Sequence, residues 1–212
     1  MNRKSMLQWG AALLALNLAA SAFCDESRRV VPLDNASAGT GVGGIRPLTT
    51  SDAPQVMCQK CLEAAVASFK SNDYDIALKH VTDGLAQSPD EAEMLQFRAL
   101  VLFARRDYQE ASASLHRVLA VRPAWNWAKL SRFYPSVETY TTQLRTLEAY
   151  TRRNPGDGAA RFLQAYHYMV AGFPDAATRE LEMVVRLESN DSVAAVILRA
   201  SRRSSTIDAT RY

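Results

Sequence analysis

Two cysteines three residues apart, Cys58-Gln59-Lys60-Cys61, form the sharpest local signature of this chain. Such a pair serves as a redox dithiol, as half a metal site or as a haem attachment. Haem attachment needs a histidine next, and Leu62 stands there. Zinc needs two further ligands, and His80, His116 and His167 fall on different helical segments, so neither a metal nor another cofactor is expected. A thioredoxin-type site sets the motif in a βαβ unit, which the surrounding pattern does not offer. In an oxidising compartment, cysteines at i and i+3 can bond to each other with little rearrangement. Cys58 and Cys61 are therefore read as a local disulfide, or Cys61 as a small buried apolar residue. A thiol-redox or redox-sensing role is the alternative function.

The histidines offer no pairing with a serine, cysteine or carboxylate at a spacing that activates a nucleophile, so the chain is read as non-enzymatic. The arginine pairs at 28–29, 105–106, 152–153 and 202–203 mostly fall at helix ends, where positive charge complements the helix dipole. Trp125 and Trp127 fit either a binding platform or the packing of a distorted junction.

Composition narrows the classes further. The chain has 212 residues, 48% hydrophobic and 22% charged, an ordinary globular mix for one domain. Its formal charge is +3, of which Arg3 and Lys4 carry two, so the rest is close to neutral. Nucleic-acid binding, which needs a strong basic excess on one face, is not expected.

The amino terminus reads as an address. Met1–Lys4 is basic, Met6–Leu18 is mostly apolar, and Ala20-Ser21-Ala22 has the small-x-small cleavage pattern. Together they predict a secretory signal peptide over residues 1–22, with export to the periplasm or cell envelope. An uncleaved membrane anchor is the alternative. Residues 23–56, rich in Gly, Ser and Thr, predict a flexible tether. Residues 57–204 form the folded domain and 205–212 a tail.

From Cys58 onward, apolar residues recur at three and four, the helical period. Shifting the sequence by 34 lays Asp73-Tyr74-x-x-Ala77 on Asp107-Tyr108-x-x-Ala111, Val81 on Leu115 and Pro89 on Pro123. A 34-residue period with two helices per unit resembles the tetratricopeptide repeat family. The small site of its first helix is filled by Ala65, Ala99, Ser131 and Ala165. Tyr74, Tyr108 and Tyr140 open the second helix, Ala77, Ala111 and Ala177 follow, and Val81, Leu115, Leu147 and Leu181 fill its large site. The third unit is irregular: Pro123 to Pro155 is two residues short of a period, and Pro135 interrupts its first helix. Ser192–Arg203 predicts a closing helix. The expected fold is all-α, an α-solenoid of about four helix pairs with a C-terminal cap. The signal peptide, tether and few repeats resemble exported bacterial members of the family.

The resemblance implies that first helices line a concave groove that binds a protein or peptide. In this register the groove receives Leu62, Val66 and Phe69, then Gln96, Leu100 and Phe103, then Phe162, Tyr166 and Met169. Peptide-end-binding members place a Lys, Asn and Arg clamp there. Leu62 and Val66 stand at the relevant places, which argues against chaperone-tail recognition. A protein-interaction scaffold is the expected function. It requires these residues to be partly exposed in the free protein. Otherwise a segment of the chain itself, the leader or the closing helix, fills the groove.

Overall fold

The computed structural model describes residues 53–209. The expected signal peptide and nearly all of the expected tether lie outside them. Among the described residues all regular structure is helical: α1 (Ala53–Lys70), α2 (Tyr74–Gln87), α3 (Ala92–Arg105), α4 (Tyr108–Leu119), α5 (Trp127–Leu130), a 3₁₀ turn (Ser131–Phe133), α6 (Val137–Arg153), α7 (Gly158–Val170), α8 (Pro174–Leu187) and α9 (Ser192–Ala209). The fold is an α-solenoid of four tetratricopeptide helix pairs, the third irregular, closed by α9.

One turn design recurs at three of the hairpins. Asn72, Arg106 and Gly172 adopt left-handed backbone, with φ of 65°, 70° and 79°. The next residue's N–H reaches back to a carbonyl of the first helix: Asp73 to Ser68 at 2.9 Å, Asp107 to Leu102 at 2.9 Å and Phe173 to Tyr168 at 2.8 Å. This paired C-cap satisfies carbonyls that the helix end would leave open and reverses the chain. The following first helices start on acidic caps. Asp157 accepts from the Ala160 N–H and Asp191 from the Ala194 N–H, each at 2.9 Å.

The repeat register is the core. Ala65, Ala99 and Ala165 are buried where the paired helices approach, as are Ala77, Ala111, Ala177, Val81, Leu115, Leu147 and Leu181. Gly84 of α2 serves the same close approach: a Cβ there would stand 2.6 Å from Met94 Cε and 3.1 Å from Cys61 Cβ.

The third pair leaves the stack. Helix α7 packs on α4, the place a regular third unit would give its own first helix. The register between α4 and the last units is pinned by His116, whose ring stacks on Phe162 at 3.9 Å while its Nε2 meets Asp191 Oδ2 at 2.8 Å. Residues 123–136 instead run over the inner face, and the 3₁₀ turn touches α1. Pro135 is the local cause. Tyr134 before it is extended, with ψ of 144°, as a pre-proline residue prefers. The Ser136 hydroxyl then caps α6 by accepting from the Thr139 N–H at 3.2 Å.

Candidate functional site

The inner faces of α1, α3 and α7 carry the residues expected to line a groove, and there the structure corrects the sequence reading. Phe69, Leu100, Phe103, Phe162 and Tyr166 are each no more than 3% exposed, and Gln96 is 4% exposed. Leu62, Val66 and Met169 are half-buried. What covers much of this face is the irregular third pair, not the closing helix, and the expected leader lies outside the described residues. Tyr134 packs edge-on to Phe69 at 5.2 Å, Phe133 lies 4.9 Å from Phe97, and Tyr140 lies 6.5 Å from Phe103. Trp125 and Trp127 take the packing role, against Phe133 and Tyr140 respectively. Phe162 lies under His116.

Gln96 shows how the face holds this segment. Its Nε2 donates to the Pro123 carbonyl at 3.5 Å, and its Oε1 accepts from the Trp125 N–H at 3.1 Å. One carboxamide thus reads a donor and an acceptor of a passing backbone, as a receptor reads a peptide. Tyr166 also hydrogen-bonds to the Trp125 backbone. A second bridge runs through Gln143 of α6, which accepts from the Tyr134 hydroxyl at 2.7 Å and donates to Tyr74 Oη at 3.0 Å. Tyr74 in turn donates to Asn72 Oδ1 at 2.8 Å.

Helix α6 is fixed to α7 by a polar network. Tyr168 donates to Glu148 Oε1 at 2.9 Å, Gln164 donates to Tyr168 Oη at 3.0 Å, and Thr151 donates to Gln164. Burial raises the Glu148 carboxyl above its ordinary range, against the lowering effects of Tyr168, Arg152 and Arg145. His167 sits inside the aromatic cluster, 3.9 Å from Phe103, and burial pushes its imidazole down to about 3. It is held neutral.

An open cleft of about 450 Å³ lies where α6 passes the turns of the first two pairs. Tyr74, Phe103 and Arg106 form one side, and Glu138, Thr142 and Thr146 of α6 the other. Sequence reasoning placed Phe103 in a groove but did not single out Arg106, Glu138, Thr142 or Thr146, because α6 was expected to stay within the repeat stack.

The cysteines are both unbonded, so the expected disulfide is not formed. Cys58 is buried and Cys61 half-buried. Burial, then the Glu91 carboxylate, then Cys61, push the Cys58 thiol up. A redox cysteine needs the reverse, a stabilised thiolate. Among the described residues no three His, Cys, Asp or Glu side chains converge as metal ligands, and no helix is long and apolar enough to cross a membrane.

The sequence matches no family model and no curated protein. It is similar to solved structures of tetratricopeptide domains. The first such domain of human RPAP3 is 18% identical, covering 75% of this chain and 99% of that one, with a TM-score of 0.34. The first such domain of Spaghetti (RPAP3), bound to an HSP90 peptide, is 16% identical over 71% of this chain and 94% of that one, at 0.34. A MamA double mutant is 18% identical over 70% and 96%, at 0.31. The helix pairs described above rest on this chain's own register and caps.

Proposed function

We propose that this chain is a non-catalytic protein-interaction scaffold, exported to the cell envelope. The observation that carries the reading is the grip of Gln96 on the Pro123–Trp125 backbone. The face built from first helices is chemically a peptide holder, with an amide clamp and aromatic sockets. Its sockets hold residues of the same chain, so the surface offered to a second protein is the open cleft beside α6. Export is supported by Arg3, Lys4, the apolar run and Ala20-Ser21-Ala22.

The test is in-cell photocrosslinking of the full chain, with the reactive residue at Thr142 or Thr146 in the cleft and at Arg199 on the exposed closing helix. Discrete adducts from the cleft positions support the scaffold. Adducts no stronger there than at Arg199 contradict it. Amino-terminal sequencing of the exported chain should begin at Phe23; a start at Met1 would mean an uncleaved anchor.

A further inference from the structure

Helix α9 closes the solenoid, and a closing helix ordinarily turns a polar face outward. This one is apolar on two sides. Ala194 and Leu198 are buried on the side packed against α8. A second stripe, Val193, Val196, Ile197 and Ala200, runs at helical spacing along another side. Val196 is 55% exposed, Ala200 is exposed, and Val193 and Ile197 are half-buried.

The repeat register accounts for the stripe. A shift of 34 lays Phe162 on Val196, Leu163 on Ile197 and Tyr166 on Ala200. In α7 those three positions are no more than 3% exposed. In α9 they stay apolar, although among the described residues no later element covers them. The small site filled by Ala65, Ala99 and Ala165 becomes Arg199. An ordinary second helix, which needs that close approach, is therefore not what the stripe is shaped for.

The stripe is its own complement. An antiparallel mate centred between Val196 and Ile197 sets each of these against the other, and sets Val193 against the small Ala200. The same contacts recur in the reverse direction, as a two-fold interface requires. The charges agree with this arrangement. Asp191 is engaged by His116 and Arg202 by Glu182. Arg203 falls opposite Asn190, two residues from the exposed Glu188 of the other copy. The antiparallel pair thus brings a basic helix end to an acidic one and opposes the two helix dipoles.

We propose that this chain binds a second copy of itself through α9, as a two-fold dimer with antiparallel closing helices. One helix face makes a small interface, so the dimer is weak, with a Kd on the order of 10–100 µM.

The test is sedimentation equilibrium of the full chain from about 1 to about 300 µM, with Val196→Glu and Ala200→Glu as variants. Both positions are exposed, so both variants should keep the circular dichroism and melting temperature of wild type. Wild type should move from the mass of one chain towards that of two, and each variant should weaken association by about tenfold or more. A photoreactive residue at Val193 should give a two-chain adduct that maps near Ala200 of the second copy. A monomer at every concentration, or association unchanged in either variant, overturns the proposal. So do Val193 adducts that map to Val193 itself, stay within one chain or join a different protein. Two-chain adducts from Arg199 are recognised by their mass as self-adducts and are left out of its comparison with the cleft, so the scaffold and the dimer stand or fall separately.

Discussion

Tyr134 lies edge-on against Phe69, ring centroids 5.2 Å apart and planes at 84°, although the two belong to the third and first helix pairs. A regular repeat stack brings neighbouring units into contact. This pair skips one, because the segment before Pro135 folds across the inner face. The same crossing buries Phe97 and Phe103 under Phe133 and Tyr140. It turns what would be an open groove into core.

Gln96 is expected to matter for stability through that crossing. Gln96→Leu keeps the volume but leaves the buried Trp125 N–H without its acceptor. The cost should be about 1–3 kcal/mol, the usual penalty for an unsatisfied buried polar group. Denaturant melts of wild type and variant give the number; a change under about 0.5 kcal/mol would mean the backbone of 123–125 is not gripped.

Acid should weaken the fold through His167. Its folded-state imidazole is pushed down to about 3 by burial, while the unfolded one titrates near 6.5. Between those values the unfolded chain binds a proton that the folded chain refuses, so stability is lost as pH falls. Glu148 acts with the opposite sign. Its carboxyl is raised by burial, so its contribution is present at acid pH and is lost as pH rises through the raised value. His167→Phe removes the first effect alone. The stability of the variant relative to wild type should increase from pH 7 to pH 4.5 in urea melts, and a constant difference would contradict the buried, neutral imidazole.

Ala99 and Ala165 hold the small site of the first helix in their pairs and are 2% and 0% exposed. Ala99→Leu or Ala165→Leu should overpack that site and cost about 1–3 kcal/mol. Ala128→Leu, on the exposed side of α5, should stay within about 0.5 kcal/mol. Equal thermal shifts at all three positions would contradict the register.

Much of this architecture was legible in the residues. The 34-residue shift located every regular pair, because small and large side chains at helix crossings recur with the geometry they serve. Pro135 announced the break in the third unit. Where the broken unit goes was not legible from period alone, since Phe133 and Tyr134 find their partners on α1 and α3 through tertiary contact. One signal did exist. Buried residues surround α3 on nearly all sides, from Met94 through Phe103, and a helix apolar around its circumference must be covered on every face. The same signal recurs in α7. The cleft beside α6 carries no comparable mark in the sequence, apart from Arg106 at a place where its counterparts are Asn72 and Gly172.

The most direct test of the filled inner face is a double-mutant cycle on Phe69 and Tyr134, measured by denaturant unfolding of wild type, Phe69→Ala, Tyr134→Ala and the double variant. A packed edge-to-face pair predicts a coupling of about 0.5–1.5 kcal/mol. Strict additivity, within about 0.3 kcal/mol, would mean that the third pair does not rest on the first and that the groove is open.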